Sequence, residues 1–370
     1  MICVLAPFPT EENQKDGMVQ RVAYIDSLMT LMPRTYLDIS FRHFFHKSVR
    51  TEGAVTIYCL NFFVHFITIL KLLRSARIVY VHSAHCALKL LPFPIRATII
   101  FDAHGIVPEE MFQEGRVGIG CVLAVAERFI LRRCDVLICI TRSMLDHFNR
   151  KYGKQNNCIE IILPILPQLG NSTAALHALN VERETDTVIY AGGTQTWQNV
   201  DKMIEAATTQ PMLRYTFLTG EVARFEVRLR DSAVQKFTCQ SVAPARVKDF
   251  YLNHQYGFVL REEILVNLVA CPTKLVEYLY WGVLPIVITP RIGDFDVNSL
   301  RCITLTQFKK GEFPDVKLAD AMRRYNQATV LKMIASAQHN QQWLTQILNT
   351  TGAGQNASAQ LVKIEKNKLI

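Results

Sequence analysis

The chain has 370 residues, 49% hydrophobic and 20% charged, which excludes a disordered protein and allows a large core spread over two domains. Its 41 Lys and Arg against 32 Asp and Glu leave a formal charge of +9, which favours anionic partners and says nothing of fold. The ten cysteines are scattered, mostly inside apolar runs, with no CxxC pair and no Cys/His group at zinc spacing, so they read as small buried hydrophobes of a reducing compartment.

Taken in order, Ile2–Ala6 reads as a strand; it is too short for a signal peptide and runs into Pro7 and Pro9. A loop through Gly17 leads to a helix from about Met18 to Leu31, then a strand over Thr35–Ile39. Ala54–Leu70 barely reaches spanning length and is interrupted by Asn61 and His65, so it reads as a strand end followed by a very apolar helix around Leu60–Leu73. That helix is either buried or dips into a bilayer face, with Lys71, Arg74 and Arg77 placed for headgroups. Strands follow at Ile78–His82, Thr98–Asp102, Val136–Ile140 and Ile159–Leu163, with helices over about Gly118–Arg132 and from Thr141 to about Tyr152. Strands alternating with helices predict a parallel sheet covered on both faces.

Pro164 to Asp186 has no strong apolar period and reads as a linker. A second alternating series begins at Thr187–Ala191. It continues with a helix at Val200–Ala207, strands at Tyr215–Leu218 and Lys236–Cys239, a helix at Ala243–Leu252 and a strand at Tyr256–Leu260. A helix opening at Cys271-Pro272-Thr273 and closed by Gly282 precedes the buried strand Leu284–Ile288. Lys317–Leu348 reads as helical with a break near Asn326-Gln327, and the tail from Thr350 to Ile370 as loose. The expected division is residues 1–165, a linker at 166–186, a second domain at 187–335 and a returning helix with tail at 336–370.

In open parallel sheets ligands bind beyond the carboxyl ends of the strands, so chemistry is sought there. Arg261 ends one strand, and Lys274 and Glu277 lie three apart on one face of the next helix. A helix N-terminus with Thr273 at its start, a lysine and an arginine suit a diphosphate, and a carboxylate one turn further in suits the hydroxyls of a ribose or sugar. Gly192-Gly193 after the Thr187–Ala191 strand lets a ligand approach the backbone, while Gly220 and Val242 sit at exits that suit a nucleobase. Asn267 lies in the polar segment between Arg261 and the helix. In the first half His104 follows a strand in FDAHG, with His82 and His85 at another strand end. Gly17, after the first strand, places its loop to approach the phosphates of such a ligand, with Arg21 one turn into the helix. Arg132, Arg133, Arg142, Arg150 and Lys151 form a basic stretch, a solvated face or a lipid-phosphate surface. No GxGxxG follows the first strand, which argues against a nicotinamide enzyme, and nothing beyond charge points to nucleic acid.

FDAHGIVPEE, AERFILRRCDVLICITRSMLDHFNRKYG, VIYAGGTQTWQNVDKMIEAA and YGFVLREEILVNLVACPTKLVEYLYWGVLPIVI, in this order, resemble GT-B glycosyltransferases close to family 4. The last is similar to the P-x-K-x-x-E-Y-x-x-x-G pattern of enzymes that build bacterial surface polysaccharides. The resemblance implies an α/β GT-B fold of two Rossmann-like domains facing a cleft. It also implies hexose transfer from a UDP- or GDP-linked sugar to a lipid-linked or oligosaccharide acceptor, with retention of configuration; no metal or other cofactor is expected, since Arg261, Lys274 and the helix start suit a diphosphate and no DxD pair ends a strand in the second half. It places Glu277 on the ribose and His104 by the transferring sugar, and a final helix crossing back onto the first domain. The expected place of work is the cytoplasmic face of the inner membrane, peripherally bound to its anionic surface. Two departures stand out: Val269 occupies the position of a second family glutamate, leaving Glu262 or Glu263 to substitute, and Trp197-Gln198-Asn199 replaces the usual basic residue after the Gly-Gly loop. A two-lobed nucleotide-sugar epimerase and an inactive scaffold of a polysaccharide assembly complex are the alternative readings.

Overall fold

A computed structural model of the chain describes residues 1–13, 17–154, 158–167, 169 and 172–350; the expected loose tail lies outside them, apart from Thr350. The chain divides into two compact units, Met1–Ile165 with Ala337–Ile370, and Leu166–Ser336.

Unit 1 is built on an eight-stranded sheet. Its strands in chain order are β1 (Ile2–Leu5), β2 (Arg34–Ser40), β3 (Ser48–Glu52), β4 (Val55–Asn61), β5 (Ile78–His82), β6 (Thr98–Ala103), β7 (Val136–Cys139) and β8 (Ile159–Ile162). They lie in the order β3-β4-β2-β1-β5-β6-β7-β8, all parallel except the β3–β4 pair. The central strands β1, β5, β6 and β7 are buried throughout, as continuous apolar runs between two helix layers require. β3 was not expected: SVRTE is polar and wholly exposed, an edge strand whose Arg50 and Glu52 pair with each other. The apolar helix begins later than expected, at Phe66, because Leu60 and Asn61 complete β4. Among the described residues no helix is long and apolar enough to cross a membrane.

Unit 2 carries a six-stranded sheet in the order β11-β10-β9-β12-β13-β14, every pair parallel. The strands are β9 (Thr187–Ala191), β10 (Arg214–Leu218), β11 (Phe237–Gln240), β12 (Tyr256–Val259), β13 (Leu284–Val287) and β14 (Ile303–Thr304). Successive β9 side chains serve opposite cores: Val188 and Tyr190 join Phe217 and Phe258, while Ile189 joins Leu275 and Tyr278. Gly257 on β12 lets the Tyr278 ring lie against the strand, where its hydroxyl donates to the Ile189 carbonyl at 3.3 Å.

The stretch read as a linker contains a helix, Ser172–Asn180, whose Ala175 and Ala178 are buried. Three residues later, Arg183 gathers helix ends. It donates to the carbonyls of Tyr251, Leu252 and His254 from one nitrogen and to those of Ala178 and Trp281 from the other. These are the closing turns of the helices Ser172–Asn180, Val247–Asn253 and Thr273–Trp281, where unpaired carbonyls accumulate negative charge.

The expected break at Asn326-Gln327 is absent: Val316–Thr350 is one 35-residue helix. Both amides face the core instead of ending the helix. Asn326 exchanges two hydrogen bonds with the Arg301 backbone, and Gln327 donates to the carbonyls of Ala175 and Tyr280. The helix belongs to unit 2 up to Ser336 and to unit 1 from Ala337, where Asn340 donates to the Ile162 carbonyl.

Candidate functional site

In unit 2, the exits of β9, β10 and β11 open on a pocket of about 340 Å³ lined by Gly192, Thr219, Gly220, Ser241, Val242, Tyr251 and Glu277, among others. The helix Thr273–Trp281 forms because Leu275, Val276, Tyr278 and Leu279 bury one face, and Gly282, at φ 75°, ends it in the left-handed conformation. Thr273, Lys274 and Glu277 fall on the other face. Pro272 is the N-cap, so the amides of Thr273 and Lys274 have no acceptor within the helix.

The half-buried Lys274 ammonium lies 3.8 Å from the centre of the Tyr190 ring and donates to Gln198 Oε1 at 3.2 Å. Burial, then repulsion from Arg261, pushes its pKa well below the usual lysine range, and Glu277 opposes them weakly. Burial likewise lowers the Arg261 pKa; its guanidinium makes no hydrogen bond or ion pair among the described residues. Among the described residues neither basic group is ion-paired with a carboxylate, and Glu277 acts on Lys274 only at longer range. Glu277 accepts from the Tyr251 hydroxyl at 3.1 Å, and burial raises its pKa. Gly192 is required by proximity: a Cβ there would lie 2.6 Å from Lys274 Nζ and 3.0 Å from the Tyr190 oxygen.

The remaining predicted residues are placed as follows. Gly193 turns its carbonyl to the Tyr190 hydroxyl, and Gly220 and Val242 line the pocket. Thr273 is exposed at the helix start. Asn267 is buried, and its amide donates to the Glu262 carbonyl at 2.8 Å, bracing the loop before the helix. Glu262 and Glu263, the candidates to replace the glutamate absent at Val269, pair with Lys202 and Arg291. Tyr190, Gln198 and Tyr251 are the contributors that sequence reading missed or undervalued. The tyrosines resembled ordinary core aromatics, with only their hydroxyls as a signal.

His104 and Gly17 belong to unit 1. Gly17 opens the helix Gly17–Ser27 with open space around it. Arg21, expected near phosphates, is fully buried instead, and its guanidinium holds Asp102 with contacts of 3.0 to 3.3 Å while donating to the Leu163 carbonyl. Tyr80 donates to the same carboxylate at 2.9 Å. Burial opposes ionisation of Asp102, and Arg21, His104 and His82 together outweigh it, so the pKa falls. His82 Nδ1 and His104 Nε2 share a 2.9 Å hydrogen bond, and burial followed by His104 keeps His82 well below the usual histidine pKa. Ser83, next in the chain, holds a φ of 62°, the kind of local strain that collects at working sites. His82, Asp102 and His104 offer ligand atoms within 4.8 Å of one another. Arg21 neutralises the carboxylate and His82 Nδ1 is engaged with His104, while His82 Nε2 is buried without a hydrogen-bond partner among the described residues. Lys151, from the expected basic surface, is also spent, on Glu109 at 2.6 Å and Glu127 at 3.1 Å.

No protein-family model matches the sequence, and no curated protein matches it. Solved structures match nearly the whole chain. Sucrose-phosphate synthase from Thermosynechococcus elongatus is 11% identical with a TM-score of 0.65, over 94% of this chain and 98% of that one. Alpha,alpha-trehalose 6-phosphate synthase from Burkholderia multivorans is 12% identical with a TM-score of 0.57, over 100% and 97%. Anabaena HepE in complex with UDP-glucose is 12% identical with a TM-score of 0.59, over 93% and 99%. At such identities the likeness establishes the fold: an α/β chain with two parallel-stranded sheets, the GT-B class expected from the sequence.

Proposed function

We propose that the chain transfers a hexose from a UDP- or GDP-linked sugar to a lipid-linked or oligosaccharide acceptor in surface-polysaccharide assembly, at the inner face of the cytoplasmic membrane. The observation that carries this reading is the pair Arg261 and Lys274, cations without a paired carboxylate, at the edge of a pocket that contains Glu277. A diphosphate supplies the missing charge, with the amides of Thr273 and Lys274 as further donors. Negative charge grows on the diphosphate as the sugar leaves, so groups already aimed there lower the barrier without a metal. Glu277, steadied by Tyr251, accepts from hydroxyls of the ribose, and the nucleobase stacks into the pocket beside Gly220 and Val242. His104, held by His82, serves the transferring sugar. Anabaena HepE with bound UDP-glucose and a trehalose-6-phosphate synthase that transfers with retention share the fold, which supports a nucleotide-sugar donor and retention here.

The test is thermal stabilisation by a panel of nucleotide sugars, for wild type and Glu277→Ala, followed by product analysis with and without polyprenyl-linked sugars. Stabilisation that Glu277→Ala weakens is expected. No stabilisation by any nucleotide overturns the reading, and isomerised nucleotide sugar released without acceptor assigns the chain to the epimerases.

A further inference from the structure

Unit 1 carries an exposed aromatic surface at the carboxyl ends of β2 and β4. Phe45 and Phe63 are 60% and 68% exposed, Val64 59% and Ile67 60%, with Phe41 and Phe44 each at 36%. Isolated exposed hydrophobes are ordinary, but a contiguous group is not. Phe41 touches both Phe62 and Phe63, with ring centres at 4.8 and 6.0 Å, and Phe62 rests on the buried Phe93 at 6.0 Å. The exposed rings are therefore rooted in the core.

The two loops that carry them are held in place. Asn61, fully buried, donates to the His43 carbonyl at 3.0 Å and accepts from the Phe63 and Val64 amides at 3.0 and 3.2 Å. Ser40 Oγ accepts from the Arg42 and His43 amides, and the Phe62 amide donates to the Ser40 carbonyl. Phe44 is kept at a φ of 62°, a conformation that bulky side chains avoid. One buried amide thus fixes both loops with their apolar side chains facing solvent.

Charge identifies what covers this surface. From Phe41 to Phe101 the sequence has eight Lys and Arg against one acid, Glu52, a net of +7 out of the chain's +9. Ile67, Lys71 and Arg74 lie on one exposed face of the helix Phe66–Ser75, apolar at its start and cationic behind. Arg42, Lys71 and Arg74 form no ion pair among the described residues, whereas Arg50 is spent on Glu52.

We infer that the Phe41–Phe45 and Phe62–Ile67 loops dock unit 1 on an anionic lipid bilayer, with Phe45, Phe63, Val64 and Ile67 entering the headgroup–acyl boundary and Arg42, Lys71 and Arg74 meeting lipid phosphates. Apolar burial and cation–phosphate attraction act together at such an interface. Fixing the loops in advance removes an ordering cost that a flexible segment would bear on docking. This deepens the proposed reading, on whose lipid-facing acceptor it rests, by naming the surface that reaches the membrane.

The experiment is co-sedimentation of the full chain with vesicles of phosphatidylcholine containing phosphatidylglycerol, and of phosphatidylcholine alone, at low and high salt. Wild type, Phe45→Ser/Phe63→Ser and Lys71→Glu/Arg74→Glu are compared with Val122→Ser/Val125→Ser, which alters a separate exposed apolar face on the helix Val117–Leu131. Binding to anionic vesicles is expected, with a loss of about tenfold or more in partitioning for the first two variants and little change for the last. Salt should weaken the wild type. No binding by wild type at low salt overturns the inference, as does a loss that follows Val122 and Val125 instead. A concentration-dependent dimer abolished by Phe45→Ser/Phe63→Ser, without vesicle binding, shows the surface to be a self-association face and also overturns it. Nucleotide-induced stabilisation, measured on the same variants, fails or survives independently, so failure of the donor reading is distinguishable from failure of this one.

Discussion

Replacing Lys274 by Met removes a charge and keeps most of the aliphatic stem. In the folded chain that ammonium is withdrawn from water and repelled by Arg261. Only Gln198 Oε1, the Tyr190 ring and Glu277 favour it. A cation held against such opposition is dispensable to the fold, so Lys274→Met is expected to leave stability unchanged or raise it by about 1 kcal/mol. The same change removes the proposed charge-assisted contact to a diphosphate, about 1.5–3 kcal/mol, or roughly 10- to 150-fold in Kd. Ligand at about a hundred times the wild-type Kd adds about 2.7 kcal/mol of stability; after a roughly thirtyfold loss the gain falls to about 0.9 kcal/mol. For a domain of this size, with Tm moving about 2–4 °C per kcal/mol, the nucleotide-induced rise shrinks from about 5–11 °C to about 2–4 °C. Scanning fluorimetry with and without UDP-glucose reads both effects. A variant that melts several degrees lower while its nucleotide-induced rise stays intact would make Lys274 a structural residue and refute the reasoning.

Three further outcomes are expected. A bound diphosphate would favour the charged form of Lys274, so donor binding should weaken, and take up protons, as pH rises past the free protein's Lys274 pKa; calorimetry across alkaline pH in two buffers of unlike ionisation enthalpy reads this, and equal heats throughout contradict it. His82 is held neutral by burial and by His104, so below its ordinary pKa of 6.5 the unfolded chain binds a proton that the folded chain refuses. Stability should then fall by up to about 1.4 kcal/mol per pH unit, and His82→Gln should flatten that slope in urea titrations down to about pH 5. Gly257→Ala puts a Cβ 2.4 Å from the Tyr278 ring, which its hydroxyl bond to Ile189 holds in place; a loss of about 1–3 kcal/mol is expected in denaturant titration, and an unchanged midpoint refutes the close packing.

The fold was legible where burial leaves a simple pattern. β5, β6, β9 and β13 are apolar runs bounded by turn residues, and their periods separate cleanly from those of the helices between them. β3 was hidden because an edge strand needs no apolar residues and SVRTE has almost none. The Ser172–Asn180 helix was hidden because it buries alanines, which leave little periodic contrast. At the site, the Lys274–Glu277 spacing could be read directly, since both lie on one helix. What could not be read was direction. Arg21 and Asn267 have the right chemistry for a ligand but turn inward, Arg21 toward Asp102 in a distant part of the chain and Asn267 toward the Glu262 carbonyl of its own loop. Glu262 and Glu263 are claimed by Lys202 and Arg291, partners at large sequence separation.

The guanidinium of Arg183 donates to five carbonyls and, among the described residues, forms no ion pair with a carboxylate. One of them, Trp281, terminates the helix whose opposite end presents Thr273 and Lys274; the others secure the two helices ending beside it. The tilt of that helix, and with it the aim of its free amides, is therefore governed from about 13 Å away, the length of nine residues at 1.5 Å each. Gly282 follows suit, since a Cβ there would come within 2.7 Å of the Arg183 Nη2 nitrogen. Arg183 thus acts as the anchor pin of the helix that carries Thr273 and Lys274, and a change at position 183 is expected to alter that helix's alignment without changing a contact at its other end.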